Sequence, residues 1–323
     1  VRVAYQEEKR EAIAVVRAAA ALCQVVREEM VTPDGLEKSD RSPVTVADFG
    51  SQALICKHLF ERFGNPIVGE EDASDLQENA DLLASVQKYL RGAGLDGSVQ
   101  DVCEWIDRGN GKVSSRYWTL DPIDGTKGFL RSDQYAVALA LVEDGSIKVA
   151  VLACPALPLN GGGVPGTLMV AVKGQGAEMM SLDADSGETV TVDTSGDASS
   201  HRFVESVESS HGNQTLQSEV AKAVSIDAPS LRMDSQAKYA AVARGDAVLY
   251  LRLPSVDRPP YAEKIWDHAA GALLVEEAGG IVTDMRGKPL DFASSDRMRD
   301  NEGVVVSNGA IHHDVLDALS RLA

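Results

Sequence analysis

Residues 117–130 read YWTLDPIDGTKGFL, and residues 135–154 continue as YAVALALVEDGSIKVAVLAC. The β-prone run Tyr117 to Leu120 feeds straight into two aspartates, Asp121 and Asp124, placed three residues apart on a non-helical turn. Pro122 stiffens that turn and Gly125 loosens it. The two apolar runs that follow flank EDGS, a turn sequence, and so predict a hairpin of buried strands. Two carboxylates and a backbone carbonyl aimed at one place suit a hard cation, Mg²⁺ or Mn²⁺ rather than zinc. Asp-Pro and Asp-Gly also make plain turns, so the segment alone leaves both readings open.

Upstream, Ile13, Val16, Ala20, Cys23 and Val26 recur at helical spacing and predict an amphipathic helix from Glu7 to about Met30. A second helix is expected from Phe49 to Phe63, with Asp48 at its entrance, where capping is the plain role. Pro66 to Gly69 predicts a short strand, followed at once by Glu70, Glu71 and Asp72. The segment from Asp75 to about Gly97 and the segment Asp101 to Asp107 read as helical, and Pro155 to Thr167 as a surface loop. Beyond the polar stretch 181–200, strands and helices alternate in α/β fashion, ending in a helix from about Ile311 to Leu322. One of these helices runs from Asp267, which could cap it, to Ala278 before Gly279 and Gly280. The division is placed at an N-terminal α+β part, 1–195, and a C-terminal α/β part, 196–323.

The 323 residues suffice for a large core, and 44% hydrophobic with 25% charged residues is an ordinary globular composition. A formal net charge of −18 opposes attachment to a nucleic-acid polymer or an anionic membrane. It does not oppose a small anion, because bound divalent cations invert the field inside an acidic site. Cys23, Cys56, Cys103 and Cys154 have no CxxC or zinc-like spacing, so a reducing compartment is the default and a regulatory disulfide stays open. No apolar run approaches the ~20 residues that cross a bilayer. The opening VRVAYQEEKREAIAVV has neither a secretory core nor an initiator Met, which leaves room for a removed targeting peptide.

Four separated motifs, VTVAD, VGEED, LDPIDGTKGF and IWDHAAG, the last followed by EEAGG, occur in this order. In this the chain resembles the lithium-sensitive, Mg²⁺-dependent phosphatases related to inositol monophosphatase, above all their 3′(2′),5′-bisphosphate nucleotidase branch. The resemblance implies a layered αβαβα sugar-phosphatase fold. It implies two or three Mg²⁺ per site, replaceable by Mn²⁺, bound by Glu70, Asp121, the Ile123 carbonyl, Asp124 and Asp267. It implies that Asp48 and Thr126 orient and deprotonate the attacking water, while amides near Gly125 hold phosphate oxygens.

The second half narrows the substrate. MDSQAKY (233–239), LYLRLP (249–254) and EKIWDHAAG resemble the nucleotidase branch, as does Lys127-Gly128-Phe129. By that resemblance Ser235, Lys238 and Arg252 contact phosphate or ribose, His211 lies near adenine, and Asp267 also faces the substrate. A bisphosphate carries a second phosphate that two cations can pair. Lys238, Arg252 and His211 could also be plain surface groups. His268 reads as structural, and Trp105, Trp118 and Trp266 as core. The implied activity is hydrolysis of 3′-phosphoadenosine 5′-phosphate, with 3′-phosphoadenylyl sulfate as a second substrate and inhibition by Li⁺ and Na⁺. The alternatives are an inositol 1,4-bisphosphate phosphatase and a silent sensor. The loop RGNGKVSSR (108–116) and residues 160–166 and 193–200 depart from the branch. A chloroplast or mitochondrion is expected, with the cytoplasm as alternative, and a monomer or homodimer.

Overall fold

A computed structural model describes residues 4–30, 43–159, 162–195, 201–208, 212–255 and 261–322. Two long helices come first, α1 (Gln6–Met30) and α2 (Pro43–Phe63), then strand β1 (Ile67–Gly69) and helices α3 (Ser74–Glu78), α4 (Ala80–Gly92) and α5 (Val99–Asp107). Next are β2 (Arg116–Asp124), the short helix α6 (Thr126–Leu130), β3 (Ala136–Glu143), β4 (Ser146–Pro158), β5 (Pro165–Val172), β6 (Ala177–Ser181) and β7 (Glu188–Val190). Strands β1 to β7 form one sheet in chain order, with β1 parallel to β2 and the other pairs antiparallel.

The remainder alternates β8 (Phe203–Glu205), α7 (Gln214–Ala223), β9 (Leu231–Arg232), α8 (Ala237–Ala243), β10 (Leu249–Arg252), α9 (Ala269–Glu277), β11 (Ile281–Thr283), β12 (Val304–Ser307) and α10 (His312–Leu322). Its five strands form a second sheet in the order β11-β12-β10-β8-β9.

Strand β3 shows how the layers form. Val137, Leu139 and Leu141 point into a core shared with α1 and α2, including Val16, Cys23 and Ile55. The alternate residues Ala136, Ala138, Ala140 and Val142 face the other way, toward α8, α9 and the second sheet. Side chains alternate along a strand, so a run apolar at every position is a strand covered on both faces. The small alanines let the equally small face of α9, Ala269, Ala270 and Ala272, come close. On the far side of the second sheet, α7 and α10 cover Leu249, Leu251 and Val305. The layering is αβαβα, as expected.

Four local expectations are corrected. Helix α2 starts at Pro43, suited to a first helical position, so Asp48 lies inside the helix rather than at its entrance. The DPID segment belongs to β2 and is not a free turn. Strands β4 and β5 extend into the stretch read as a loop at 155–167. The helix expected from Asp75 breaks at Asn79, whose side chain caps α4 by accepting from Leu82 N at 3.0 Å. The EDGS turn holds, with Asp144 and Gly145 both at positive φ, 47° and 73°.

All four cysteines are free and buried, and burial pushes the Cys154 thiol up to about 12, far from thiolate reactivity. Among the described residues no helix is long and apolar enough to cross a membrane.

Candidate active site

The acidic site begins with strand register. β1 and β2 pair in parallel with Gly69 opposite Leu120, so Glu70 and Asp121 leave the ladder side by side. The Glu70 carboxylate accepts a hydrogen bond from the Asp121 carboxyl, whose burial favours its protonated form. Helix α2 supports this from one face: Asp48, Ser51 and Gln52 fall at i, i+3 and i+4, and all three are buried. Gln52 Oε1 accepts from Glu71 N at 3.1 Å, and its Nε2 donates to Ile106 O at 3.0 Å and to the Glu71 carbonyl. Ser51 Oγ donates to Pro122 O at 3.2 Å. Between Asp121 and Asp124 the pairing with β3 shifts register, a bulge that takes the Ile123 peptide out of regular pairing.

These carboxylates crowd one another. Asp121 is 2% exposed, and its pKa is pushed well above the carboxylate range by burial, then by Glu70, Asp124, Asp267 and Asp48. Burial also pushes Asp48 well up, with Glu71 and Glu70 adding to it. Glu70 keeps an open face to solvent, yet protein crowds its other sides; that burial, then Glu71, raises its pKa to about 7. Burial raises Asp267 to about 7, against the pull of Arg252 and His268. The Oδ1 atoms of Asp48 and Asp121 are buried, with no hydrogen-bond partner among the described residues. Orphaned buried oxygens in a set of hard donors fit a divalent cation, which would relieve both the desolvation and the repulsion.

The second sheet supplies the rest. Asp124 Oδ2 accepts from Gln236 N at 2.6 Å. Gly125 has φ 88°, and a Cβ there would stand 2.9 Å from the Ser235 Cβ, so the DPIDG bend and the Ser235 turn touch directly. The Gln236 side chain reaches on to Trp266 O at 2.9 Å and accepts from Gly271 N at 3.1 Å. It thereby fixes the 3₁₀ turn Ile265–Asp267 and the start of α9. His268, not Asp267, holds the cap position of α9, and no side chain caps it, which leaves the Asp267 carboxylate to the site.

Lys238 is 3% exposed, so the surface-cation reading is overturned for it. Its Nζ donates to Ser235 O at 2.8 Å and lies 5.3 Å from the centre of the Tyr250 ring. Burial lowers its pKa to about 8, and Asp124 holds it up. Arg252 pairs with Glu263 through Nε and Oε2 at 2.9 Å. His268 is buried between Glu263 and Tyr239, a structural placement as expected. Thr126 is the exposed first residue of α6, a helix of only five residues. Phosphate oxygens there would meet local amides rather than a long helix dipole. His211 lies outside the described residues.

A model of the inositol monophosphatase family matches residues 2–321. The chain belongs to the inositol monophosphatase family. A 3′(2′),5′-bisphosphate nucleotidase of Schizosaccharomyces pombe is 42% identical, with 97% of this chain and 95% of that protein covered. One from Dictyostelium discoideum is 39% identical over 96% of this chain and 95% of its own, and a probable 3′(2′),5′-bisphosphate nucleotidase of Arabidopsis thaliana 40% over 98% and 94%. Among solved structures, an inositol monophosphatase from Zymomonas mobilis superposes with TM-score 0.66 at 20% identity, covering 99% of this chain and all of that one. CysQ from Bacteroides thetaiotaomicron, a bacterial member of the family, gives 0.65 at 21%, covering 95% and 98%. The layered fold is therefore the family's.

Within this family member, Gln52, Gln236 and Glu263 are the site residues that sequence reasoning missed. Gln52 carried a signal, its position four residues after Asp48 on one helix face. Gln236 and Glu263 carried none, since their partners lie 112 and 11 residues away in the chain. Lys127 and Arg131 of α6 also cross to the second half, meeting Glu208 at 2.8 and 2.5 Å, and Arg131 pairs with Asp234.

Proposed function

We propose that the protein removes the 3′-phosphate of 3′-phosphoadenosine 5′-phosphate, giving AMP and phosphate, with 3′-phosphoadenylyl sulfate as a second substrate. The reading is carried by one observation: an acidic cluster with orphaned buried oxygens stands beside two cations, Lys238 and Arg252, that the metal site does not need. Full-length similarity to proteins named 3′(2′),5′-bisphosphate nucleotidase supports the choice of substrate.

Glu70, Asp121, the Ile123 carbonyl, Asp124 and Asp267 would hold Mg²⁺, two or three ions, with Mn²⁺ as substitute. Bound there, the metal would neutralise phosphate and carboxylate charge and make water a better nucleophile. Asp48 offers an unpartnered buried oxygen and accepts the proton of the attacking water through the Thr126 hydroxyl. The amides following Gly125 take up phosphate oxygens, the oxygen of that water bonds to phosphorus as the P–O3′ bond breaks, and the departing 3′ oxygen takes its proton from solvent water, to which Asp48 later returns the one it accepted. Ser235, Lys238 and Arg252 hold the remainder of the nucleotide, His211 its adenine side. Two parts, 1–195 and 196–323, close on the substrate, each with its own sheet. Li⁺ and Na⁺ inhibit, and the protein acts as monomer or homodimer in a chloroplast or mitochondrion, with the cytoplasm as the alternative.

Turnover of adenosine 3′,5′-bisphosphate and of inositol 1,4-bisphosphate, compared under Mg²⁺, tests the reading. The nucleotide should be preferred by about tenfold or more in kcat/KM. A like preference for the inositol ester would overturn it.

A further inference from the structure

Glu263 stands four residues before Asp267, in none of the positions read as ligand or substrate contact. Its Oε2 meets two groups, Arg252 Nε at 2.9 Å and His268 Nε2 at 3.3 Å. His268 is fully buried and is fixed from its other nitrogen by the Tyr239 hydroxyl at 2.7 Å. The Tyr239 ring packs edge-on against Tyr250, centroids 5.3 Å apart, and Gly271 omits the Cβ that would strike it. Tyr250 in turn hydrogen-bonds Arg252. One polar chain, Tyr239 to His268 to Glu263 to Arg252, thus starts in the core and ends on a guanidinium at the site.

Glu263, Asp267 and His268 bring possible ligand atoms within 4.8 Å of one another, so a further cation site is the first alternative. The partners weigh against it, because a divalent ion at Oε2 would face the charge of Arg252 at close range. Orientation is what the contacts do provide. A free arginine loses much rotamer freedom on holding a phosphate, and a carboxylate that fixes Nε removes that cost while the guanidinium keeps further donors.

We propose that Glu263 is a positioning residue that sets Arg252 for the non-reacting phosphate of the substrate and so favours bisphosphates over monophosphates. This rests on Arg252 contacting that phosphate, as read above. The effect belongs in KM, since the non-reacting phosphate is bound alike before and during reaction.

Kinetics of the intact protein with adenosine 3′,5′-bisphosphate and adenosine 3′-monophosphate, for Glu263→Gln, Arg252→Ala and the double variant, test the proposal. Glu263→Gln should raise KM for the bisphosphate by about tenfold with kcat changed less than about threefold, and should hurt the monophosphate at least about fivefold less. In the Arg252→Ala background it should add less than about twofold, because nothing remains to be positioned. Equal losses on both substrates, or losses that multiply in the double variant, would show a merely structural role and overturn the proposal. Should Glu263→Gln fold poorly, Glu263→Asp, which keeps the charge, carries the same comparison. Calorimetric affinity for AMP reads the non-reacting phosphate without turnover and should weaken about tenfold in Glu263→Gln; an unchanged affinity overturns the positioning role. If wild type shows no preference for the bisphosphate, the substrate reading fails, and the AMP measurement still decides on Glu263.

Discussion

Removing the divalent cation should expose the cost of the acidic cluster, and pH should control how large that cost is. Glu70 and Asp267 have pKa values raised to about 7, so each is about half protonated at pH 7 in the metal-free protein. Coordination needs the ionised carboxylate, so on the proposed ligation Mg²⁺ would displace about one proton from these two groups together at pH 7. For one group at about 7, the ratio of ionised fractions at pH 8 and pH 6 is about ten, and for two it is about a hundred. Screening at the open face of Glu70 pulls this ceiling down, so we expect Mg²⁺ to bind at least about tenfold more weakly at pH 6 than at pH 8. Asp48 and Asp121, both raised well above the carboxylate range, act in the same direction.

The assay is calorimetric titration of chelator-treated protein with MgCl₂ at pH 6, 7 and 8, in two buffers of different ionisation heat, which counts released protons. Stability gives an independent reading. A carboxyl whose folded pKa exceeds its unfolded value makes the folded chain bind more protons between about pH 4.5 and 7, so this contribution is lost as pH rises through 7. The metal-free protein should therefore melt at a lower temperature at pH 8 than at pH 6, and saturating Mg²⁺ should raise the midpoint more at pH 8. Affinity changing less than about threefold over this range, with no proton release, would refute the carboxylate cluster as the metal site.

Asp124→Asn keeps an oxygen that can accept from Gln236 N, so it should fold with a midpoint within a few degrees of wild type while kcat falls by about a hundredfold or more, read in a phosphate-release assay. Gln52→Ala strands the Glu71 backbone and Ile106 O; we expect a loss of about 2–3 kcal/mol in denaturant unfolding and weaker Mg²⁺ binding, since Glu70 is no longer held. Gly271→Ala places a Cβ 2.3 Å from the Tyr239 ring and should cost about 1–3 kcal/mol, with a rise in KM for the bisphosphate because Tyr239 holds His268.

What could be read from the sequence was whatever neighbours in the chain decide. The EDGS hairpin follows from two residues able to take positive φ, and the doubly apolar run of β3 announces a strand covered on both faces. The expected start of α2 at Phe49 is too late because the stretch before it looks polar and carries Pro43; burial of Val44 and Val46 in the core extends the helix back to that proline. Pro122 made DPID look like a turn, yet a bulge lets a proline sit in β2. The larger omissions are those of long-range contact. Lys238 looks like a surface cation beside Asp234, Ser235 and Gln236, and it is buried only because the two sheets close over that turn. Its lowered pKa and the raised ones of the aspartates come from the same closure, which takes charges of both signs out of water at once. A site built so leaves carboxylate oxygens, Asp48 Oδ1 and Asp121 Oδ1, buried with no partner among the described residues, a shortage that a divalent cation would meet. On the proposed reading, a metal with a bisphosphate would meet the acidic side through the metal and Lys238 and Arg252 through the second phosphate, which a monophosphate does not carry.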